Sequence, residues 1–238
     1  MIDSVRQTVL SILNKNNYGY ISPSDFNLFA KQAQLEIFDG YFKELNQVIN
    51  AENARMSGTD YADLNKGVRE AIDVFSVTRT LPQDAANQYF TPSVTRTGDD
   101  YYLLNKVLVG TREAEPVHHS KITLLDNSLL TAPSVQYPAY TIDIGPSGEQ
   151  VATIYPNTIT GANDVTCQYI RYPFDPQWTY SVLAGGEPVF NQSLTGYQDF
   201  EVPIDDEPRL VYRILQMAGM SIREGDVYQY ANAEEAQN

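Results

Sequence analysis

The sequence SPSDFNLFAKQAQLEIFDGYFKELNQV, residues 22–48, decides the fold of this 238-residue chain. Ser22 is a favourable N-cap, Pro23 suits the first helical position, and Asp25 complements the positive end of the helix dipole. Apolar residues then recur with a period near 3.6, which predicts one amphipathic helix of about seven turns. These apolar residues are Phe26, Phe29, Ala33, Ile37, Tyr41, Leu45 and Val48.

Helical patterns flank this stretch on both sides. Apolar residues at helical spacing occupy positions 2–13, and a third helix is predicted for residues 61–75. The sequence therefore predicts a helical region over residues 1–76.

A further helix is predicted near the C-terminal end. Asp206 and Glu207 precede Pro208 and a run of apolar residues, which is typical of a helix start. We expect Gly219 to bend or end this helix, and a last short helix to follow it. Residues 206–238 thus form a C-terminal helix and a polar tail, which packs with the helical region or docks on a partner.

The middle of the chain, residues 77–205, has a different character. Proline and glycine recur at short intervals, and short runs rich in β-branched and aromatic residues lie between them. Residues 120–130 fit either a short helix or a strand. The fold class is therefore α+β: an N-terminal helical bundle completed by a C-terminal helix, with an inserted β-rich domain of sandwich or barrel-like form. The clearest strands are predicted at 101–109, 137–144, 150–155, 165–172, 178–183 and 199–202.

The charge balance excludes some classes of partner. The formal net charge is -14 and no basic stripe is present, so the chain should repel free nucleic acid. An acidic surface can still line a DNA passage, because a surface that does not hold phosphates lets DNA slide. The 17 tyrosines suit subunit interfaces, where tyrosine supplies contact area at low entropic cost.

The cysteine content and the hydropathy of the chain indicate the compartment in which it is made. Cys167 is the only cysteine, so the chain forms no internal disulfide and has no cysteine framework for zinc. Its first residues lack a secretion signal, and no apolar stretch approaches the ~20 residues of a membrane span. We expect a protein made in a cytoplasm-like compartment and not bound to a membrane.

The local motifs that could form a catalytic or ligand-binding site have simpler structural interpretations. Residues 14–25 imitate a calcium-binding loop, but Asn14 and Tyr18 stand where carboxylates are wanted. The pair His118–His119 fits a solvated loop, and no base is placed beside a serine or cysteine nucleophile. We interpret Trp178 as a core residue that closes a hairpin. The sequence thus predicts no catalytic, cofactor or metal site, and no enzyme.

Three stretches carry a family resemblance. They are residues 20–38, the segments 154–156 and 169–178, and residues 210–231, which include Ser221-Ile222-Arg223 and Val227-Tyr228-Gln229-Tyr230-Ala231. All three resemble virion structural proteins of crAss-like and related short-tailed bacteriophages, in particular adaptor ring proteins of the head-to-tail connector.

The resemblance implies a helical bundle with a β-rich insertion, assembled as a ring of identical subunits, usually a dodecamer, in the neck of the virion. Its implied partners are copies of itself, the portal protein and the next tail ring protein. DNA would pass through the ring without specific binding. In such adaptors a C-terminal segment docks on the portal or a neighbouring ring, which here would involve Ile222, Arg223, Val227, Tyr228 and Tyr230.

A second hypothesis stays open. The chain could instead be another tail or fibre-associated virion protein that binds host glycans through the β-rich domain, with Trp178 and its tyrosine neighbours as the binding platform.

Overall fold

The computed structural model describes residues 1–14, 21–55 and 64–222, and it divides the chain into two compact units. One unit combines Met1–Ile72 with the described residues from Pro173 onward, and it is mainly helical. The other unit is Asp73–Tyr172, and it is mainly β-sheet. The fold is α+β, with helices at both ends of the chain and a large curled sheet between them.

Three long helices form the helical unit: α1 (Ile2–Leu13), α2 (Pro23–Arg55) and α6 (Glu207–Ile222), and both α1 and α2 pack against α6. Ser22 caps α2 as predicted, because its Oγ accepts a hydrogen bond from the Asp25 amide at 3.1 Å and donates one to the Asp25 carboxylate at 2.6 Å. The helix α3 (Leu64–Asp73) leads into the second unit. Side chains buried between the long helices include Val5, Val9, Phe26, Ala33, Ile37, Phe38, Leu210, Ile214, Leu215 and Ala218.

One expectation about α6 was wrong. Gly219 does not end the helix, which continues to Ile222. A glycine inside a helix costs about 1 kcal/mol relative to alanine. The burial of one face of α6 against α1 and α2 outweighs that cost. The last short helix predicted beyond this point lies outside the described residues.

The β-rich unit is built on an eight-stranded sheet with the order β1-β8-β4-β5-β6-β7-β3-β2, antiparallel except for the β5–β6 pair. Only Leu81 and Pro82 separate the edge strands β1 and β2, so the sheet must curl until its two edges approach. Its strands are β1 (Ser76–Thr80), β2 (Gln83–Ala85), β3 (Gln88–Phe90), β4 (Tyr101–Val109), β5 (Arg112–Pro116), β6 (Ala139–Ile144), β7 (Gln150–Tyr155) and β8 (Val165–Arg171).

One hydrophobic core fills the inside of this curled sheet. It takes side chains from six strands, from the β1–β2 link and, through Ile159, from the β7–β8 loop; in β7 and β8 alternate residues point inward. The core consists of Leu81, Tyr89, Val107, Ala114, Tyr140, Ala152, Ile154, Ile159, Val165, Cys167 and Tyr169. The barrel-like alternative for the inserted domain is therefore the better description of its packing.

The two short helices of this unit are α4 (Val94–Thr97) and α5 (His119–Asp126). The ambiguous segment 120–130 thus resolves into a helix followed by a turn. The hairpin β9 (Tyr180–Val182) and β10 (Pro188–Phe190) belongs to the helical unit, so residues 173–205 group with the helices and not with the β-rich segment predicted for 77–205. No strand forms at 199–202. The nearest β-type contact in the sequence is an isolated bridge between Gln177 and Gln198, which lies just before this stretch.

Cys167 offers a direct test of the β-unit core. Its side chain is fully buried in β8, and burial raises the pKa of the thiol to about 12. We expect the folded protein to resist thiol alkylation at pH 8, because the thiolate is the reactive form. Mass spectrometry should find the cysteine unmodified in buffer and fully alkylated in urea. Fast alkylation in buffer would mean that β8 is not packed inside the sheet.

Candidate functional site

The residues predicted to dock on a partner fall at the edge of the described chain. Ile222 is the last residue of α6. Arg223, Val227, Tyr228 and Tyr230 lie outside the described residues. Their role in docking therefore stays a prediction. The expectation that the loop 14–25 does not bind calcium also stays a prediction, because half of this loop, residues 15–20, lies outside the described residues.

The two histidines lie at the start of a helix and not in a loop. His118 is the N-cap residue of α5, and His119 is its first helical residue. The Nδ1 atom of His119 lies 2.7 Å from an Asp143 carboxylate oxygen in β6, which ties α5 to the sheet. Among the described residues, no group of three or more histidine, cysteine, aspartate or glutamate side chains is arranged to hold a metal ion.

A buried carboxylate links three parts of the β-rich unit. Asp99 accepts a hydrogen bond of 2.5 Å from the Tyr169 hydroxyl in β8, and its other oxygen lies 3.2 Å from the Arg79 guanidinium in β1. Burial, followed by the hydrogen bond to Asp99, raises the pKa of Tyr169 to about 12. The tyrosine therefore stays a hydrogen-bond donor at neutral pH. This arrangement satisfies a buried charge and holds the segment before β4 on the sheet.

A cleft of about 570 Å³ lies beside this segment and is lined in part by Asp100, Tyr101, Glu149 and Gln150. Its polar groups are already engaged: the Tyr101 hydroxyl donates to Gln150 at 2.8 Å, and Arg96 forms two bonds of 2.9 Å with Glu149. The hydrogen bond from Arg96 lowers the pKa of Glu149, so this carboxylate stays ionised. The Arg96–Glu149 pair thus connects α4 to the turn before β7.

Trp178 lies in the helical unit, where its indole is 2% exposed. Its Nε1 donates to the Asp3 carboxylate at 2.9 Å, and the Arg6 guanidinium lies 3.8 Å from the ring centroid. Tyr180 and Phe190 stack on it with ring centroids 5.5 and 6.0 Å away. The prediction of a core tryptophan next to a hairpin is confirmed, and the indole is committed to α1 and the β9–β10 hairpin.

The segment between β5 and β6, residues 117–138, is the first of two exposed apolar surfaces, and we call it the arm. Ile122 is buried and Arg112 binds the Val135 carbonyl at 2.7 Å, so both ends of the arm are held on the sheet. Leu129 and Leu130 are nevertheless 100% and 95% exposed. Single exposed apolar residues are common on protein surfaces, whereas a cluster of large ones marks an interaction site. The other exposed apolar side chains of the arm are Leu124, Val135 and Tyr137.

The second surface is formed by residues 177–198, which we call the hairpin segment. Its strands β9 and β10 pair antiparallel, and Thr179 holds its base through two hydrogen bonds with Asn191, of 2.6 and 3.0 Å. A two-stranded hairpin is marginal in water by itself, so the stack on Trp178 is what keeps it in place. Its exposed apolar side chains are Tyr180, Val182, Leu183, Val189 and Leu194.

The arm was not singled out from the sequence, and of the hairpin segment only Trp178 and its tyrosine neighbours were. The available signal was the absence of charge: residues 127–142 carry none, and residues 176–198 carry only Glu187. In a chain with 46 charged side chains, both stretches are unusual.

Comparisons with known proteins assign no role to these surfaces. No protein-family model matches the chain, and no curated protein matches it. In the part of the chain that the structure describes, no helix combines the length and apolar character needed to cross a membrane.

Trp178 gives a quantitative test of the helical unit. Trp178→Ala removes a buried aromatic side chain together with the bond to Asp3, and we expect it to lower the free energy of unfolding by about 3–5 kcal/mol. Tyr137→Ala is the matched control, because this exposed arm residue should change stability by less than about 0.5 kcal/mol. Urea unfolding followed by circular dichroism measures both. Equal, small effects would show that Trp178 is not a core residue.

Proposed function

We propose that the chain is a structural subunit of a bacteriophage head-to-tail connector. In this proposal identical copies form a ring below the portal, which joins the capsid to the tail and surrounds the DNA channel in the neck of the virion. The observation that carries it is the arm, whose clustered apolar side chains face solvent in the isolated subunit. Such a cluster is a surface built for burial by a protein partner.

The architecture supports the same proposal. A helical unit made from both ends of the chain, with a curled sheet inserted between them, is the arrangement that the resemblance to connector adaptors implies. The long helices bury one face in their own unit, and the inserted unit carries the arm. One chain can therefore form a compact helical unit and carry a separate contact surface on its inserted unit.

The charge balance fits a DNA passage. With a formal net charge of -14, the subunit does not attract phosphates, and DNA would move past it without being held. The same charge makes copies repel each other at low salt. Contacts between subunits must therefore use surfaces where charge is sparse, and the arm is such a surface.

The glycan-binding alternative depends on an accessible Trp178 side chain. Trp178 is buried, belongs to the helical unit and is bound by Asp3 and Arg6. Trp178 and Tyr180 line a cleft of about 370 Å³, but a sugar that stacked on the indole would have to displace the contacts with Asp3 and Arg6.

The first test is assembly with the portal protein encoded in the same genome. Light scattering and electron microscopy of the mixture should show a ring of this chain bound to the portal. A double variant, Leu129→Asp with Leu130→Asp, should keep the unfolding midpoint of the parent, because both side chains are exposed, and should form no ring. A strictly monomeric protein that ignores the portal would overturn the proposal.

The second test concerns the C-terminal docking segment. Truncation after Ile222 removes Arg223, Val227, Tyr228 and Tyr230 and leaves the described part of α6 intact. We expect portal affinity to fall by a factor of about 100, since loss of two or more buried aromatic contacts typically costs several kcal/mol. Biolayer interferometry with immobilised portal measures this loss.

A full-length variant with Tyr228→Ala and Tyr230→Ala separates side-chain recognition from tail length. It should reproduce most of the loss, whereas Asn232→Ala and Asn238→Ala should not. Unchanged portal binding by the truncated chain would assign docking to another part of the subunit.

A further inference from the structure

The two exposed apolar surfaces differ in shape and in the way they are held. The arm is a helix and loop that leave the sheet between β5 and β6. The hairpin segment is a short two-stranded ribbon supported from one side by Trp178. Each spans about 20 residues, which is the number that one side of a standard protein interface contributes.

The low charge of the arm and the hairpin segment favours a second copy of this chain as the partner that covers them. The chain carries 30 acidic and 16 basic side chains, so most faces of one copy repel the same faces of another. Residues 127–142 are uncharged, and the hairpin segment contains only Glu187. At these two places a second acidic copy can approach without bringing like charges together. A strongly basic partner would gain little from these surfaces, because each contains a single carboxylate, Asp126 in the arm and Glu187 in the hairpin segment.

We propose that the arm of one copy packs on the hairpin segment of the next copy. This inference rests on the proposed ring function, and it names the surfaces that close the ring. A contact between two different surfaces is heterologous, and it repeats from copy to copy until rotation closes it. A contact of the arm with a second arm would be isologous and would stop at a dimer.

The side chains on the two surfaces suit this pairing. Leu129 and Leu130 of the arm are almost fully exposed, and Val182 and Leu183 are exposed near the turn of the hairpin. The hairpin turn is tight, since Gly186 takes a positive φ of 86° and its amide donates to the Leu183 carbonyl at 2.9 Å. A ribbon held in this way is a firm surface onto which flexible leucine side chains can pack.

Cysteine cross-linking on the portal-bound assembly tests the pairing. Leu130→Cys and Val182→Cys are introduced into separate full-length chains, which are mixed, assembled on the portal and treated with a short bis-maleimide. The native Cys167 is buried and its thiol pKa is raised, so it does not compete. We expect a covalent dimer of the two variants, formed roughly a hundredfold faster than in the unassembled mixture because the interface raises the effective thiol concentration.

A chain that carries both substitutions should give a ladder of covalent oligomers, and Leu130→Cys by itself should give none. Leu28→Cys is the control partner, since Leu28 is exposed on α2 and outside both surfaces, and it should not link to Leu130→Cys. Dimers from Leu130→Cys by itself, or portal-bound rings without the mixed product, would overturn the arm–hairpin pairing and leave the ring function standing. Absence of any ring on the portal would instead overturn the proposed function itself.

Discussion

The backbone of Trp178 exchanges two hydrogen bonds with the side chain of Asn27, of 2.9 and 3.3 Å, and the helical unit depends on this exchange. It fastens the chain that returns from the β-rich unit to the first turns of α2. The indole then reaches Asp3 and Arg6 on α1, so one residue ties α1, α2 and the hairpin segment together. The unit can therefore be assembled from two distant parts of the chain and still have one core.

A second link closes the same unit farther along α2. The Gln34 side chain donates to the Phe174 carbonyl at 2.8 Å and accepts from the Glu201 amide at 3.0 Å. The segment 174–201, which includes the β9–β10 hairpin, is thereby held on α2 at both ends. Without such partners its buried backbone groups would be unsatisfied, which costs more than the loss of a few apolar contacts.

These links bury some apolar side chains and leave others exposed to solvent. The stack on Trp178 uses one side of the β9–β10 hairpin and leaves its valines and Leu183 exposed. In the β-rich unit, Ile122 supplies the buried contact of the arm, and Leu129 and Leu130 are left uncovered by the described part of the chain. Exposing two apolar surfaces of low charge lowers the solubility of a protein, and burial between copies is the arrangement that removes this exposure.

The sequence by itself determined the elements whose signals are local. Ser22 and Pro23 mark the start of α2, and the strands 101–109 and 150–155 were predicted with their observed bounds, because capping and β-propensity act over a few residues. The elements that the sequence did not predict are short or polar: β1, β2, β3 and β5 carry little apolar pattern, and β2 and β3 have three residues each.

Tertiary structure decided which unit residues 173–205 join, the continuation of α6 past Gly219, and the exposure of Leu129 and Leu130. The physical reason is that burial depends on neighbours distant in sequence. Trp178 is a core residue because Asp3, Arg6 and Asn27 contact it, and Leu129 and Leu130 are exposed because none of the described residues covers them.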